Sequence, residues 1–185
     1  STSSRATLGG MTGNNSCGAR SIRYGKMVDN VLGVEALLQN GEKIHFGEVD
    51  PKFLNGKHPS TRDHLLQQLF QIGIREADEV RQRFPEVQRR VGGYNIDELI
   101  PPDHGVLNPA RLLVGSEGTL AFSTSIHLKL QPIPTHKVLG VCHFPSFYEA
   151  MDSTQHLVTL NPDAVELVDR TMIELARSCL LYTSP

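Results

Sequence analysis

Several features that would place the chain in a specialised class are missing from its sequence. It has no tryptophan, and its three cysteines, Cys17, Cys142 and Cys179, are an odd number without metal-ligand spacing. A disulfide framework is therefore not expected, and a reducing compartment fits better. No apolar run approaches the roughly 20 residues that a membrane-spanning helix needs. The formal net charge of -2 gives no electrostatic reason to expect nucleic acid or an anionic membrane as a partner.

The short motifs that usually carry catalysis or metal binding are also missing. The sequence has neither G-x-G-x-x-G nor the Lys-Ser/Thr of a P-loop, and neither H-x-H nor H-E-x-x-H. It also lacks cysteine ligands for an iron–sulfur cluster. The eight histidines are scattered, which is typical of surface or satisfied core histidines. We predict no catalytic residue and no metal site within this chain.

The composition is that of a folded protein. The 185 residues, 39% hydrophobic and 21% charged, suffice for one domain or for a domain with part of a second. The chain opens without Met, directly into a glycine-rich segment, and closes on SCLLYTSP after an amphipathic stretch. We interpret it as a fragment, with residues 178–185 as a candidate non-native tail.

A hairpin is predicted in the first third of the chain. Two apolar, largely alternating runs flank Asn40-Gly41, and an Asn-Gly pair in that position is the strongest short hairpin signal. We expect strands at about 30–38 and 42–46.

A helix is predicted after this hairpin. Ser60 or Thr61 can cap it, and apolar residues then recur at partly helical spacing up to Phe84. We expect a break at Gly73, and Pro85 disfavours continuation.

A subdomain boundary is predicted at QPIPT, residues 131–135, where two prolines interrupt the chain. Beyond it, the patterns indicate strands at 138–144 and 164–168. Helices are expected at 146–160 and 169–177, the latter capped by Asp169. This β-α-β-α order suggests a small sheet with helices on one face.

The first candidate functional segment is ATLGGMTGNNSCGARSIRYG, Ala6 to Gly25. Glycine and asparagine permit positive φ and leave backbone N–H groups unshielded, so such a segment can approach a pyrophosphate closely. Thr12, Asn14, Asn15 and Ser16 add neutral donors at short reach. A turn-rich surface loop is an equally good interpretation of the composition alone.

The second candidate segment is GSEGTL, Gly115 to Leu120, between an apolar run and an alternating run that predicts a strand. A functional interpretation puts its bare backbone against a ligand, with Glu117 or its neighbours bonding polar ring atoms. Taken alone, a tight turn with an exposed glutamate is the favoured interpretation.

Together the two segments resemble the FAD-binding domain of the vanillyl-alcohol oxidase and p-cresol methylhydroxylase (PCMH) family of FAD-linked oxidases. The D-lactate, glycolate and D-2-hydroxyglutarate dehydrogenase branch typically reads like A-T-I-G-G-N-x-A-T-N-A-G-G-x-R-x-x-R-Y-G and later G-x-E-G-T-L-G-I-x-T. This chain has ATLGGMTGNNSCGARSIRYG and GSEGTLAFSTSIHLKL in the same order. The sequence is most similar to bacterial FAD/FMN-containing dehydrogenases fused to an iron–sulfur reductase in the segment GGMTGNNSCGARSIRYGKMVDNVLG.

The resemblance implies a set of cofactor-binding residues in the two segments. They are Gly9, Gly10, Thr12, Asn14, Asn15, Ser16, Gly18, Arg23, Tyr24 and Gly25 in the first, and Gly115, Glu117, Gly118, Thr119 and Phe122 in or beside the second. Three residues depart from the family pattern. Met11 stands where Asn is common, and Cys17 and Ala121 stand where Gly is common. Cys17 is expected either to tighten the approach to the flavin or to be a small buried residue.

The resemblance also implies the fold and its division. We expect an α+β fold, with residues 1–133 as part of a PCMH-type FAD-binding domain, its second subdomain having a mixed or antiparallel sheet with flanking helices. Residues 134–177 would begin an α+β substrate or cap domain.

The function implied by the resemblance is that of an FAD-dependent oxidoreductase acting on CH–OH groups. The parent protein would pass hydride from C2 of a D-2-hydroxy acid, of the D-2-hydroxyglutarate or D-lactate/glycolate type, to flavin N5. Electrons would leave to an iron–sulfur region, a quinone or a cytochrome. We expect this chain to supply cofactor binding and no catalytic base, in the cytoplasm or peripheral to a membrane through the acceptor, with no transmembrane segment and no nucleic acid.

Other interpretations stay open at this point. Another flavoenzyme of the same fold, such as an alkyl-glycerone-phosphate synthase-like enzyme or an aromatic alcohol oxidase, would carry the same segments. A non-catalytic nucleotide- or phosphate-binding module would bind ADP-like ligands without a flavin spectrum. An incomplete chain that cannot hold its ligand would have no function of its own.

Overall fold

The computed structural model describes residues 4–50, 52, 56, 60–102 and 106–179. The chain divides into two compact units, one within Ser1–Gly18 and Gly25–Gln131, the other within Ala19–Tyr24 and Pro132–Pro185. The predicted α+β class is confirmed, since a small antiparallel sheet is combined with helices. The assignment of 1–133 and 134–177 to separate functional domains stays a prediction.

The first unit is built on a three-stranded antiparallel sheet in the order β2-β1-β3. The strands are β1 (Val31–Leu37), β2 (Lys43–Gly47) and β3 (Phe122–Leu128). Strand β1 is central, and Val34 lies opposite Phe46 of β2 and Ile126 of β3. The predicted hairpin is confirmed, and Gly41 has φ +83° at its turn, a conformation that glycine adopts without steric cost.

Helices cover one face of this sheet. The unit contains α1 (Leu8–Gly13), α3 (Met27–Asn30), α4 (Thr61–Arg83) and α5 (Ala110–Leu113), with a 3₁₀ turn at Ile96–Leu99. The core unites the inward side chains of the sheet with those of the helices, among them Val34, Ile44, Phe46, Leu66, Phe70, Leu99 and Leu113. Side chains that are buried at every second position of the strands pack in this core with side chains that are buried at every third or fourth position of α4.

Helix α4 begins where the sequence predicts. The Ser60 side chain accepts a hydrogen bond from the backbone N–H of Asp63 at 3.1 Å, which satisfies one of the free N–H groups of the first turn. The helix ends at Arg83, ahead of Pro85. The expected break at Gly73 is wrong, because α4 runs through it without interruption. Gly73 is buried, and a Cβ there would lie 2.4 Å from the backbone oxygen of Leu99. The absence of a side chain at this position therefore allows α4 to pack closely against the 3₁₀ turn.

A buried asparagine fixes the start of α5 against the sheet. The Asn108 amide nitrogen donates to the backbone oxygens of Val31 and Leu32, and its Oδ1 accepts from the Ala110 N–H at 3.1 Å. This side chain therefore fixes where the chain enters α5, the short helix that leads into GSEGTL.

The second unit contains α2 (Ser21–Tyr24), α6 (Phe147–Val158) and α7 (Arg170–Ser178). The two predicted helices and the predicted Asp169 cap of α7 are confirmed, and Ser146 caps α6. The expected strands at 138–144 and 164–168 are wrong, since both stretches lack regular structure. Residues 138–144 are exposed, and a strand needs a hydrogen-bonded neighbour that the described residues do not give them. Most of the candidate tail, from residue 180 onward, lies outside the described residues.

The contact at Gly73 gives a test of the packing between α4 and the 3₁₀ turn. Gly73→Ala should lower the free energy of unfolding by up to about 2 kcal/mol, since overpacking costs about 1–3 kcal/mol against about 1 kcal/mol of gained helix propensity. Urea unfolding followed by circular dichroism measures the change.

The matched control for this prediction is Gln71→Ala. Gln71 lies on the exposed face of the same helix, so its replacement should stay within about 0.5 kcal/mol of wild type. A stabilised Gly73→Ala protein would contradict the close approach.

Candidate functional site

The two glycine-rich segments lie side by side in the first unit. The Gly115 N–H donates to the backbone oxygen of Thr12 at 2.9 Å, and the Glu117 N–H donates to that of Gly13 at 2.9 Å. Two stretches about 100 positions apart in the sequence are thus joined backbone to backbone.

The first segment is more regular than the sequence predicts. Gly9 and Gly10 lie within helix α1, where the Thr7 hydroxyl accepts from the Gly10 N–H at 3.1 Å. The Thr12 hydroxyl is buried and donates back to the Leu8 oxygen at 2.9 Å. The positive φ expected of these glycines occurs instead at Asn15, with φ +50°. The loop therefore contains a short helix followed by a single left-handed residue.

Asn15 is the most constrained of the predicted site residues. It is fully buried, and its Oδ1 accepts from the backbone N–H of Val28 at 3.0 Å, at the start of α3. Its amide nitrogen is buried and has no hydrogen-bond partner among the described residues. Such an unpaired donor costs about 1–3 kcal/mol. The junction, where the two glycine-rich segments are joined, therefore contains a hydrogen-bond donor that no described residue uses.

The outer residues of the first segment are arranged differently. Asn14 is exposed, and its Oδ1 accepts from the Ser16 hydroxyl at 2.6 Å. Gly18 is exposed and open space surrounds its Cβ position. Cys17 is exposed, so the alternative that it is a small buried residue is wrong.

The end of the predicted first segment is divided between the two units. Gly25 belongs to the first and has φ +75°, and its Cβ position lies 2.8 Å from an oxygen of Asp29. Arg23 and Tyr24 belong to the second unit. There the Arg23 guanidinium pairs with Asp163 at 2.8 Å.

The second segment exposes its backbone through left-handed residues. Gly115, Glu117 and Gly118 have φ of +82°, +52° and +77°, and Glu117, Gly118 and Thr119 are exposed. Beneath them, the buried Ser116 hydroxyl donates to the Leu113 oxygen at 2.8 Å. Phe122 begins β3 and is 68% exposed. The Glu117 side chain is therefore exposed to solvent, while the buried Ser116 hydrogen bond holds the turn in place.

The sequence interpretation missed a third segment, VGGYN at 91–95, that adjoins the second. The Asn95 amide donates to the backbone oxygens of Arg111 and Val114, and the Tyr94 hydroxyl lies 2.8 Å from the Thr119 hydroxyl. The carbonyl oxygen of Gly93 lies 3.6 Å from the Cβ position of Gly115. The Gly92-Gly93 pair indicates only a loop, because nothing in the local sequence pattern connects it with the second segment, more than 20 positions further along the chain.

Two other findings bear on the class of site. Within the part of the chain that the structure describes, no group of three or more His, Cys, Asp or Glu side chains is placed to hold a metal ion. None of the described helices is both long and apolar enough to span a bilayer.

Comparison with known proteins agrees with this geometry. Residues 1–47 match the family model described as an FAD binding domain. Together with the relatives below, this match supports the FAD-linked oxidase family for the chain. This match confirms the prediction of FAD as the cofactor of the domain, and the unpaired Asn15 amide at the joined glycine segments fits a ligand rich in hydrogen-bond acceptors.

Individual relatives align with all or most of the chain. It is 31% identical over 186 residues to D-2-hydroxyglutarate dehydrogenase of Escherichia coli, covering 100% of this chain and 18% of that protein. It is 32% identical over 189 residues to the enzyme of the same name from Haemophilus influenzae, with the same coverage. D-lactate dehydrogenase (cytochrome), mitochondrial, of Arabidopsis thaliana is 28% identical over 170 residues, which are 91% of this chain and 21% of that protein. The chain thus spans about a fifth of the length of these relatives.

Asn15 offers a direct test of how the junction is held. Asn15→Ala should lower the free energy of unfolding by about 1–3 kcal/mol, because the buried Val28 N–H loses its acceptor and alanine is strained at φ +50°, which together outweigh the removal of the unpaired amide donor. Asn15→Gly separates the backbone strain from the loss of the side chain, since glycine adopts positive φ without strain. Urea unfolding measures both variants.

Asn14→Ala is the matched control for this experiment. It removes the same side chain from the neighbouring exposed position, so we expect a change within about 0.5 kcal/mol. Equal effects at positions 14 and 15 would contradict the role assigned to Asn15.

Proposed function

We propose that this chain forms the cofactor-binding part of an FAD-dependent D-2-hydroxy acid dehydrogenase. One observation carries the proposal: two glycine-rich segments are joined by backbone hydrogen bonds beside a buried amide donor that has no partner among the residues the structure describes. The whole-chain similarity to enzymes named D-2-hydroxyglutarate dehydrogenase supports the same function.

The residues proposed to hold FAD are those of the two segments. We propose that Gly9, Gly10 and Asn15 in the first segment, and Gly115, Gly118 and Thr119 in the second, contact the cofactor. The hydrogen bonds from Gly115 to Thr12 and from Glu117 to Gly13 support this, because they bring the two segments together. The exposed left-handed turn at 117–118 leaves room for a flat ligand to approach the backbone. Arg23, Tyr24 and Phe122 stay predictions from the family resemblance.

The chemistry of the parent protein would belong to the cofactor, which when bound accepts a hydride from substrate C2 at its N5 atom. This chain would bind and orient that group and keep its position fixed by the buried framework behind the two segments. No side chain of the chain is proposed as the base that removes the hydroxyl proton.

The proposed substrate class follows from the names of the relatives. Four bacterial relatives are named for D-2-hydroxyglutarate, and two others for D-lactate. We therefore propose a small D-2-hydroxy acid, with D-2-hydroxyglutarate as the first candidate.

The remaining assignments concern the parent protein. We propose that electrons leave to an iron–sulfur region, a quinone or a cytochrome. Residues 134–177 would begin the substrate or cap domain. A cytoplasmic location, peripheral to a membrane where the acceptor requires it, is part of the same proposal.

The visible absorption spectrum of the protein, expressed from its complete gene, tests the proposal. We expect the two flavin bands in the purified protein, and we expect them to bleach on anaerobic addition of D-2-hydroxyglutarate because the bound flavin becomes reduced. The L enantiomer is the matched control and should leave the bands unchanged.

Each outcome of this measurement has a distinct meaning. Bands that persist with D-2-hydroxyglutarate but bleach with D-lactate would replace the substrate and keep the reaction. Bands that stay unchanged with every D-2-hydroxy acid tested would favour another flavoenzyme of the same fold. A folded protein without bands, even after incubation with FAD, would overturn the flavin proposal in favour of a nucleotide- or phosphate-binding module.

A further inference from the structure

Tyr94 contacts the second glycine segment through its hydroxyl group. The phenol oxygen lies 2.8 Å from the Thr119 hydroxyl oxygen, and the residue is 42% exposed. A tyrosine hydroxyl at this distance forms a hydrogen bond of normal length. The contact joins a third segment of chain to the exposed part of the proposed cofactor site.

The direction of this hydrogen bond follows from the next one. The Thr119 hydroxyl lies 2.5 Å from the backbone oxygen of Ser116. A carbonyl oxygen only accepts, so the single Thr119 hydroxyl proton is donated to Ser116. Tyr94 must then be the donor to Thr119. The result is a directed chain from the phenol through Thr119 to the carbonyl that closes the turn.

The backbone of Tyr94 is itself held in place. Its neighbour Asn95 is 2% exposed and donates to the oxygens of Arg111 and Val114, at 3.2 and 2.8 Å. The preceding Gly93 has φ +80°, which a side chain would strain. Two adjacent residues thus clamp the second segment at both ends, Asn95 at the end of α5 and Tyr94 at Thr119.

We propose that Tyr94 is a positioning residue of the cofactor site, acting through Thr119 to fix the turn that meets FAD. This inference rests on the proposed function and assigns a role to a segment outside both glycine-rich stretches. The buried Ser116 anchors the turn from below, whereas Glu117, Gly118 and Thr119 are exposed. Tyr94 is the side chain that restrains this exposed end, so removing its hydroxyl loosens the ligand-facing surface and leaves the core unchanged.

The test is FAD binding by deflavinated protein, expressed from its complete gene and titrated by the quenching of flavin fluorescence. Tyr94→Phe should raise the Kd about two- to tenfold, the range expected for one hydrogen bond. Tyr148→Phe removes the same atom from a tyrosine that is 77% exposed on α6, and it should leave the Kd unchanged.

A double-mutant cycle tests the route through Thr119. In a Thr119→Val background, Tyr94→Phe should have no further effect on the Kd, because the acceptor of its hydrogen bond is gone. In a Thr119→Ser background the hydroxyl remains, and the two- to tenfold effect should return. A role in stability alone would not give this pattern.

Three results would overturn the inference. The first is an unchanged Kd in Tyr94→Phe, with wild type still binding FAD. The second is an equal effect of Tyr94→Phe in the valine and serine backgrounds. The third is a fall in the melting temperature of the deflavinated variant that tracks the loss of affinity. Failure of wild type to bind FAD would overturn the proposed function and this inference with it.

Discussion

The site depends on two backbone hydrogen bonds, from Gly115 to Thr12 and from Glu117 to Gly13. They bring together segments about 100 residues apart, so the intervening chain must close a long loop before either bond forms. The entropy of closing that loop rises only slowly with its length, and the core of the first unit supplies the contacts that offset it. At Gly115 this approach needs a residue without a side chain, since a Cβ there would lie 3.2 Å from that of Asn15. Gly115 is thus required first for the approach of the two segments to each other.

Three buried asparagines turn this approach into a rigid arrangement. Asn108 holds the start of α5 to β1, Asn95 holds the end of α5, and Asn15 holds the start of α3. Each uses its carboxamide on backbone groups that a helix end or a strand leaves without partners. A typical hydrogen bond contributes only about 1 kcal/mol net, but an unpaired buried group costs about 1–3 kcal/mol. The asparagines therefore act mainly by excluding other arrangements of the loops, which is what a ligand site built from backbone requires.

Local chemistry made part of this predictable. The Asn40-Gly41 turn, the Ser60 cap and the Asp169 cap each depend on two or three adjacent residues, and all three appear in the structure. Gly73 was misjudged because its role depends on Leu99, which lies 26 positions away. The strands expected at 138–144 and 164–168 failed for a related reason, since alternation indicates a strand only where a neighbour pairs with it. The family resemblance implied that both glycine segments bind one cofactor, but their direct joining and the contact of Tyr94 with Thr119 had no signal in the sequence.

The unpaired amide of Asn15 links the stability of the unit to its proposed function. The protein buries this donor at a cost and fixes it by a bond from the other end of the same carboxamide. Turning the carboxamide over would place its nitrogen against the Val28 N–H, which is also a donor, so a flip would lose the existing hydrogen bond and leave the nitrogen unpaired. An acceptor supplied by a ligand relieves the cost without such a loss. Ligand binding to the folded state alone also stabilises that state by mass action. A hydrogen bond from the Asn15 amide to a ligand is therefore expected to raise both the stability of the folded unit and the affinity for that ligand.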